Sequence, residues 1–291
     1  MIQKNYSDKI ESYIREMPSL PVSTGKVLDL CNKATVNPSE LNQVISLDPV
    51  LTGRLLQLIN SAYYGINPHV TSLVRAITML GLNTVKNLTL TTAILATLPK
   101  NKDISGLNME EFWRHCLCVG VTSKFLASMQ GVDPKYHQDY FTAGLLHDIG
   151  KIPLNAVLSA GYMDTITIAD RDKKTFFTAE NDCLGINHCA AGEMIAKAWN
   201  FDSPLADIIT WHHNMDGYYG EYLHILYNVA IADYFSIVYD VGFAGNKNPV
   251  MPANEIWEAV GLNKNSFETL KEKVNKEIAK ASIFLNISQN S

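Results

Sequence analysis

The chain has 291 residues, 47% of them hydrophobic and 18% charged, with a formal net charge of −5. That is enough apolar material for a large core, in one big domain or two intimate ones, and without a Lys/Arg block it offers no nucleic-acid surface. The five cysteines, Cys31, Cys116, Cys118, Cys183 and Cys189, are odd in number and form no Cys-x-x-Cys pair, which speaks against a disulfide framework or a zinc knuckle.

The polar start Met1-Ile2-Gln3-Lys4-Asn5-Tyr6 lacks the apolar core of a signal peptide, and no apolar stretch reaches membrane length. The expectation is a soluble cytoplasmic protein. Helical signals then dominate the chain. Asn37-Pro38-Ser39-Glu40 offers an N-cap, a proline at the first position and a carboxylate at the third. Leu41, Val44, Ile45 and Leu47 follow at helical period. Asp48-Pro49 opens a helix over 50–59 with Leu51, Leu55, Leu58 and Ile59 on one side. Thr71 caps a segment carrying Leu73, Ile77 and Leu80, which Gly81 stops. A Thr-rich helix spans 82–98.

The second half continues in the same style. Residues 110–129 place Phe112, His115, Cys116 and Val119 on one stripe. Residues 141–147 form a short apolar segment. Asn187 caps a helix running to Trp199, and Ser203-Pro204 starts another that ends at Trp211-His212-His213. Residues 223–239 are nearly all apolar and belong at the centre. Helices over 254–260 and 266–284 close the chain. Strand alternation is almost absent, so the fold class is all-α. The expected internal boundary is 100–106, after Pro99, dividing 1–100 from 101–291.

Candidate metal ligands fall on these helices. Glu111 and His115 are four apart and stack on one face. His147 and Asp148 are adjacent, about 100° apart around a helix, but near a helix end both can bend onto one ion. Asp233 lies on the stripe of Leu226, Ala230 and Ile237, where a carboxylate costs several kcal/mol unless paired or bound to metal. His188, His212 and His213 complete the set. Histidine, aspartate and a bridging water suit one or two ions of Fe, Mn, Zn or Ni, able to activate water for attack on phosphorus. Each residue also has a plainer reading. A histidine on an apolar stripe is usually a hydrogen-bonded core residue, and His212-His213 suits a helix C-terminus. Asp233 can be a helix-to-helix acceptor. Lys151 is a phosphate binder or a helix-end charge. Cys116, Cys118 and Cys189 read as small buried hydrophobes.

The set His115, His147-Asp148 and Asp233 resembles the H…HD…D signature of the HD superfamily of metal-dependent phosphohydrolases. The wider set resembles the HD-GYP phosphodiesterases, which implies Glu111, His188 and His212-His213 as further ligands. Asn214 departs from that family, which has Glu there, and Asp216-Gly217-Tyr218-Tyr219-Gly220 only echoes its Gly-Tyr-Pro motif. Over about 17–239 the chain resembles the HDOD family of bacterial signalling proteins. The strings that carry the resemblance are Leu20-Pro21-Val22, Ile45-Ser46-Leu47-Asp48-Pro49-Val50-Leu51-Thr52-Gly53-Arg54-Leu55-Leu56 and Asn60-Ser61-Ala62-Tyr63-Tyr64-Gly65. Ala76-Ile77-Thr78-Met79-Leu80-Gly81, Phe112-Trp113-Arg114-His115 and Gly144-Leu145-Leu146-His147-Asp148-Ile149-Gly150-Lys151 follow in order. The resemblance implies an HD-type helical bundle with an additional N-terminal helical subdomain. It also implies a regulatory output role that needs a separate signalling partner. Tyr63 and Tyr64 either pack onto the next helix or serve as partner anchors. The alternatives are a phosphohydrolase, with Asp148 at the metal and Lys151 steadying a phosphate, and a nucleotide-binding sensor without turnover.

Overall fold

The caps legible in the sequence reappear as hydrogen bonds in the structure, a computed structural model that describes residues 6–31, 36–98, 106–262 and 267–285. Helices α1 (Ser7–Glu16) and α2 (Val22–Cys31) come first. At the start of α3 (Pro38–Ser46), Asn37 Oδ1 accepts from the Ser39 amide at 2.8 Å. At the start of α4 (Pro49–Ile59), Asp48 Oδ1 accepts from the Leu51 amide at 2.9 Å. Both helices carry proline at the first position, where its missing N–H leaves no bond unmade. The cap of α5 (Leu73–Leu80) is Ser72 rather than Thr71: its Oγ accepts from the Arg75 amide at 3.2 Å. Gly81, at φ +82°, ends α5 and leads into α6 (Leu82–Thr97).

The second half holds α7 (Met109–Met129), α8 (His137–Leu146), α9 (Lys151–Arg171), α10 (Phe176–Leu184), α11 (His188–Ala198) and α12 (Leu205–Trp211). The last three are α13 (Leu223–Val238), α14 (Asn254–Ala259) and α15 (Phe267–Ala281). The described residues contain no strand, so the chain is all-α. None of their helices is long and apolar enough to cross a membrane. Four helices lie where the sequence reading placed none: α1, α2, α9 and α10. In α9, Pro153 and Gly161 look like breakers. Pro153 is the third helical residue, where an N–H has no intrahelical partner anyway, and α9 accommodates a kink at Ser159.

One apolar cluster runs from Ile10 to Phe284 and joins both halves, with Leu41, Ile45, Leu55 and Leu58 at one end and Phe112, Phe141, Phe176 and Phe235 at the other. Helix α1 packs on α9 and α11, and α6 packs on α2 and α8. The expected boundary at 100–106 falls, except for Gly106, outside the described residues.

The crossing of α7 and α8 positions the site. It depends on two glycines face to face. A Cβ on Gly144 would lie 2.8 Å from the Gly120 Cα and 2.8 Å from the Val119 carbonyl oxygen. Only hydrogen fits there, so the backbones touch.

Tyr63 and Tyr64 lie against the body of the protein. The Tyr63 ring meets Phe141 and Phe284 at 5.6 Å each. The Tyr64 hydroxyl donates to Gln138 Oε1 at 3.1 Å. The Tyr63 ring thus packs on α8 and on Phe284, and Tyr64 is tied to α8, which is the packing reading of this pair.

Candidate metal centre

Asp148 stands at the middle of the site, in the turn that joins α8 to α9, and it is buried. His147 precedes it in the same turn. Helix α7 brings His115, α11 brings His188, the end of α12 brings His212 and His213, and α13 brings Asp233. Gly150 lets the turn reach α11, because a Cβ there would collide with the His188 carbonyl.

Each oxygen of Asp148 faces a different set. Oδ1 is 3.3 Å from His188 Nε2 and 3.7 Å from His212 Nε2. Oδ2 is 3.4 Å from His147 Nε2, 3.6 Å from His115 Nε2 and 2.7 Å from Lys151 Nζ. Asp233 Oδ1 closes the second set, 3.2 Å from His115 Nε2 and 3.9 Å from His147 Nε2. The ligand atoms thus form two groups sharing Asp148: His115, His147 and Asp148, and Asp148, His188, His212 and His213, each within 4.8 Å.

The outer partners fix which ring nitrogens carry hydrogen. His147 Nδ1 donates to the Gly144 carbonyl at 2.7 Å. His212 Nδ1 donates to the Ile208 and Ile209 carbonyls at 3.0 and 3.1 Å. His188 Nδ1 donates to Glu180 Oε2 at 2.5 Å, and the His188 amide donates to the same oxygen at 3.0 Å. Ser236 gives its hydroxyl hydrogen to the Val241 carbonyl, so its oxygen accepts from His115 Nδ1 at 3.1 Å. All four imidazoles therefore keep Nδ1–H outward and present the Nε2 lone pair inward, the arrangement of metal-ligating histidine. These lone pairs meet carboxylate oxygens and one another, with His188 Nε2 3.3 Å from His212 Nε2. Buried acceptors facing acceptors need cations between them. His115 Nε2 and Asp148 Oδ1 are buried without a hydrogen-bond partner. The donor set fits a divalent transition metal.

Without metal, protons and Lys151 balance the charge. Burial opposes ionisation of His188, but the Glu180 carboxylate outweighs it and raises the imidazole to about 9. Burial likewise opposes charge on Asp148, yet His147, Lys151 and His188 hold its carboxyl well below the usual range. His147 and His213 are pushed down, first by burial. Lys151 is raised, because Asp148 and Glu180 overcome its burial. Cys189 Sγ lies 3.8 Å from the His212 ring nitrogens. Against burial, His212 and His188 lower that thiol to about 6.

A cavity of about 10 Å³ remains beside these groups, lined by His115, Lys151, His188, His213 and Asp233 and closed by Phe176, Phe177 and Asn246. That is room for about one water-sized occupant.

Glu111 does not join the site. Its carboxylate pairs with Arg114 at 2.8 Å on the exposed side of α7. Only its backbone carbonyl serves the region, accepting from the Phe243 amide at 2.9 Å. Two residues that hold imidazoles of the candidate site are not singled out by the sequence pattern, Glu180 and Ser236. Glu180 is fully buried on the apolar face of α10, and Tyr162 donates to its other oxygen at 2.8 Å. The signal was available: a carboxylate on an apolar stripe, as at Asp233. His213 is also present, its ring 4.4 Å from that of His212.

A family model described as the HDOD domain matches residues 17–215. An uncharacterized protein of Treponema pallidum is 24% identical over 224 residues, 77% of this chain and 43% of that protein. The chain spans less than half the length of this curated relative. An HDOD domain protein of unknown function from Geobacter sulfurreducens superposes with a TM-score of 0.73 at 24% identity, covering 95% of this chain and 98% of that one. A candidate phosphohydrolase from Shewanella amazonensis gives 0.67 at 22%, over 96% and 97%. A candidate signal transduction protein from Marinobacter aquaeolei gives 0.71 at 19%, over 99% and 62%. At these identities the structural likeness is one of fold.

Proposed function

The chain belongs to the HDOD domain family, and from that premise we propose that it is a cytoplasmic regulatory output protein of bacterial signalling whose His/Asp cluster holds one or two divalent transition-metal ions. One observation carries the metal part: the Nε2 atoms of His115, His147, His188 and His212 converge on the two oxygens of one buried aspartate. His115, His147, Asp148 and Asp233 would hold one ion. Asp148, His188, His212 and His213 would hold another. When bound, Fe, Mn, Zn or Ni supplies the positive charge these acceptors need, and Lewis acidity at any open position.

The chain's own residues do the rest. Glu180 and Ser236 hold His188 and His115 in the ligating tautomer. Lys151 neutralises Asp148, and Phe176 and Phe177 line the small cavity beside it. A cavity of about 10 Å³ has room for an ion but not for a phosphoester, which favours a structural metal over turnover. Five free thiols suit a reducing compartment.

The second reading is a metal-dependent phosphohydrolase. Two ligand groups sharing Asp148 favour it, because paired ions clamp the attacking and leaving oxygens of a phosphoryl transfer. In that reading Lys151 meets the phosphate.

Elemental analysis of gently purified protein tests the first step. One or two equivalents of Fe, Mn, Zn or Ni, lost in His147→Ala/Asp148→Ala, are expected. A protein that stays metal-free after reconstitution overturns the metal centre. Turnover of nucleotides or generic phosphoesters, with no partner recovered in a pull-down, would replace the adaptor reading with the hydrolase.

A further inference from the structure

A second cavity lies away from the metal centre, between α7 and α15. It has a volume of about 670 Å³, within the range of small-molecule sites. Tyr63, Val121 and Phe125 supply its apolar and aromatic wall. Its charged residues are Lys124, Lys273, Lys276, Lys280 and Glu277, with His137 beside them. Glu277 is already taken by Lys280, at 2.6 Å. Among the described residues, Lys124, Lys273 and Lys276 have no carboxylate partner. In a chain of net charge −5, this is a local excess of positive charge on a concave surface.

The lysines are placed, not scattered. Lys273, Lys276 and Lys280 recur three and four apart, which sets them along one face of α15. Lys124 faces them from α7, its Nζ 4.3 Å from the Tyr63 ring centre and 5.3 Å from that of Tyr64. Burial pushes the Lys124 ammonium down to about 8, and the Glu277 carboxylate offsets only part of that. The Tyr63 hydroxyl is buried without a hydrogen-bond partner. A phosphate suits the ammonium groups, and a flat ring suits the wall of Tyr63 and Phe125.

We propose that this groove between α7 and α15 binds a small phosphate-bearing molecule with a flat heteroaromatic ring, of the mononucleotide class, as a site separate from the metal centre. Lys124 and His115 are nine residues apart on α7, roughly 14 Å along the helix axis. The groove shares no lining residue with the metal cavity, so the proposal stands whether or not the centre holds metal.

Titration calorimetry on the full chain tests it, with AMP and GMP as probes and with adenosine and inorganic phosphate as their halves. Every titration is run with and without chelator. AMP or GMP is expected to bind equally well in chelator, and at least tenfold more tightly than either half. Lys273→Glu/Lys276→Glu reverses two exposed charges without touching the core and is expected to weaken binding at least tenfold. The same charge change at exposed Lys26 and Lys173 is expected to weaken it by less than twofold. No binding of either nucleotide at millimolar concentration overturns the site. So does binding that chelator abolishes, or that Lys273→Glu/Lys276→Glu leaves unchanged. Inorganic phosphate binding as tightly as the nucleotides overturns the ring component.

Discussion

Four imidazoles of the candidate metal centre, those of His115, His147, His188 and His212, owe their orientation to acceptors outside it, and only one of those acceptors, Glu180, is charged. Removing that charge while keeping the shape should loosen His188. Glu180→Gln is expected to weaken metal affinity about 10- to 100-fold, read by competition with a chromogenic chelator. An unchanged affinity would mean that packing alone orients His188. The same residue sets a pH dependence in the metal-free protein. His188 is raised to about 9 in the folded state against an ordinary 6.5, so the folded chain holds the extra proton more tightly. Its stabilisation is full below pH 6.5 and is lost as pH rises through 9. Urea melts of chelated protein at pH 6 and pH 9.5 should show that loss, and Glu180→Gln should flatten it. An equal slope in both proteins would place the proton elsewhere. His115, His147 and Asp148 were legible as a set, because together they carry the family resemblance that none of them carries alone. Glu180 was not, because its meaning depends on a partner from another helix. Glu111 shows the converse failure: four-residue spacing puts it on the face of His115, but at the first turn of α7 Arg114 captures its carboxylate.

At the scale of elements, the decisive contact is the glycine crossing that brings α7 to α8. A methyl group on Gly144 would meet backbone on α7, which cannot swing aside as a side chain can. Gly144→Ala is expected to destabilise the fold by roughly 1–3 kcal/mol. It should also lower retained metal, because His115 leaves α7 toward a ligand set that begins where α8 ends. Denaturant unfolding and metal analysis of one preparation check both parts; a stable variant with full metal would show that the crossing has slack. Helices whose starts carry Asn-Pro, Asp-Pro or a capping Asn were read to within a residue or two. Helix α9 was not, because Pro153 and Gly161 mimic an end, and α10 was not, because it is short and follows it directly.

Across the whole molecule, the continuous core predicts a single unfolding unit. Leu55 is fully buried in the N-terminal half, whereas all four tryptophans, Trp113, Trp199, Trp211 and Trp257, lie in the second. Leu55→Ala is expected to cost about 2–5 kcal/mol, and tryptophan fluorescence should report that loss from the far half. Its midpoint should shift together with that of circular dichroism. A tryptophan transition that stays in place would restore two independent units, 1–100 and 101–291. The all-α class and the joining of distant histidines could be read from periodicity and family resemblance. The packing of α1 on α9 and α11 could not, because nothing in a helix's own residues names the surface it meets.

Lys151 has a consequence for how such a protein is made. An ion must be found, but an ammonium three residues from Asp148 is synthesised with the chain. It lets the newborn protein close around a nest of negative and lone-pair groups before any metal is at hand. An ion bound there would join a cluster that Lys151 already partly neutralises, so the fold should depend less on metal supply than occupancy does. Lys151→Met should refold well only when metal is present in the buffer, whereas the wild-type chain refolds in chelator. Equal refolding of the two in chelator would show that the tethered charge is dispensable.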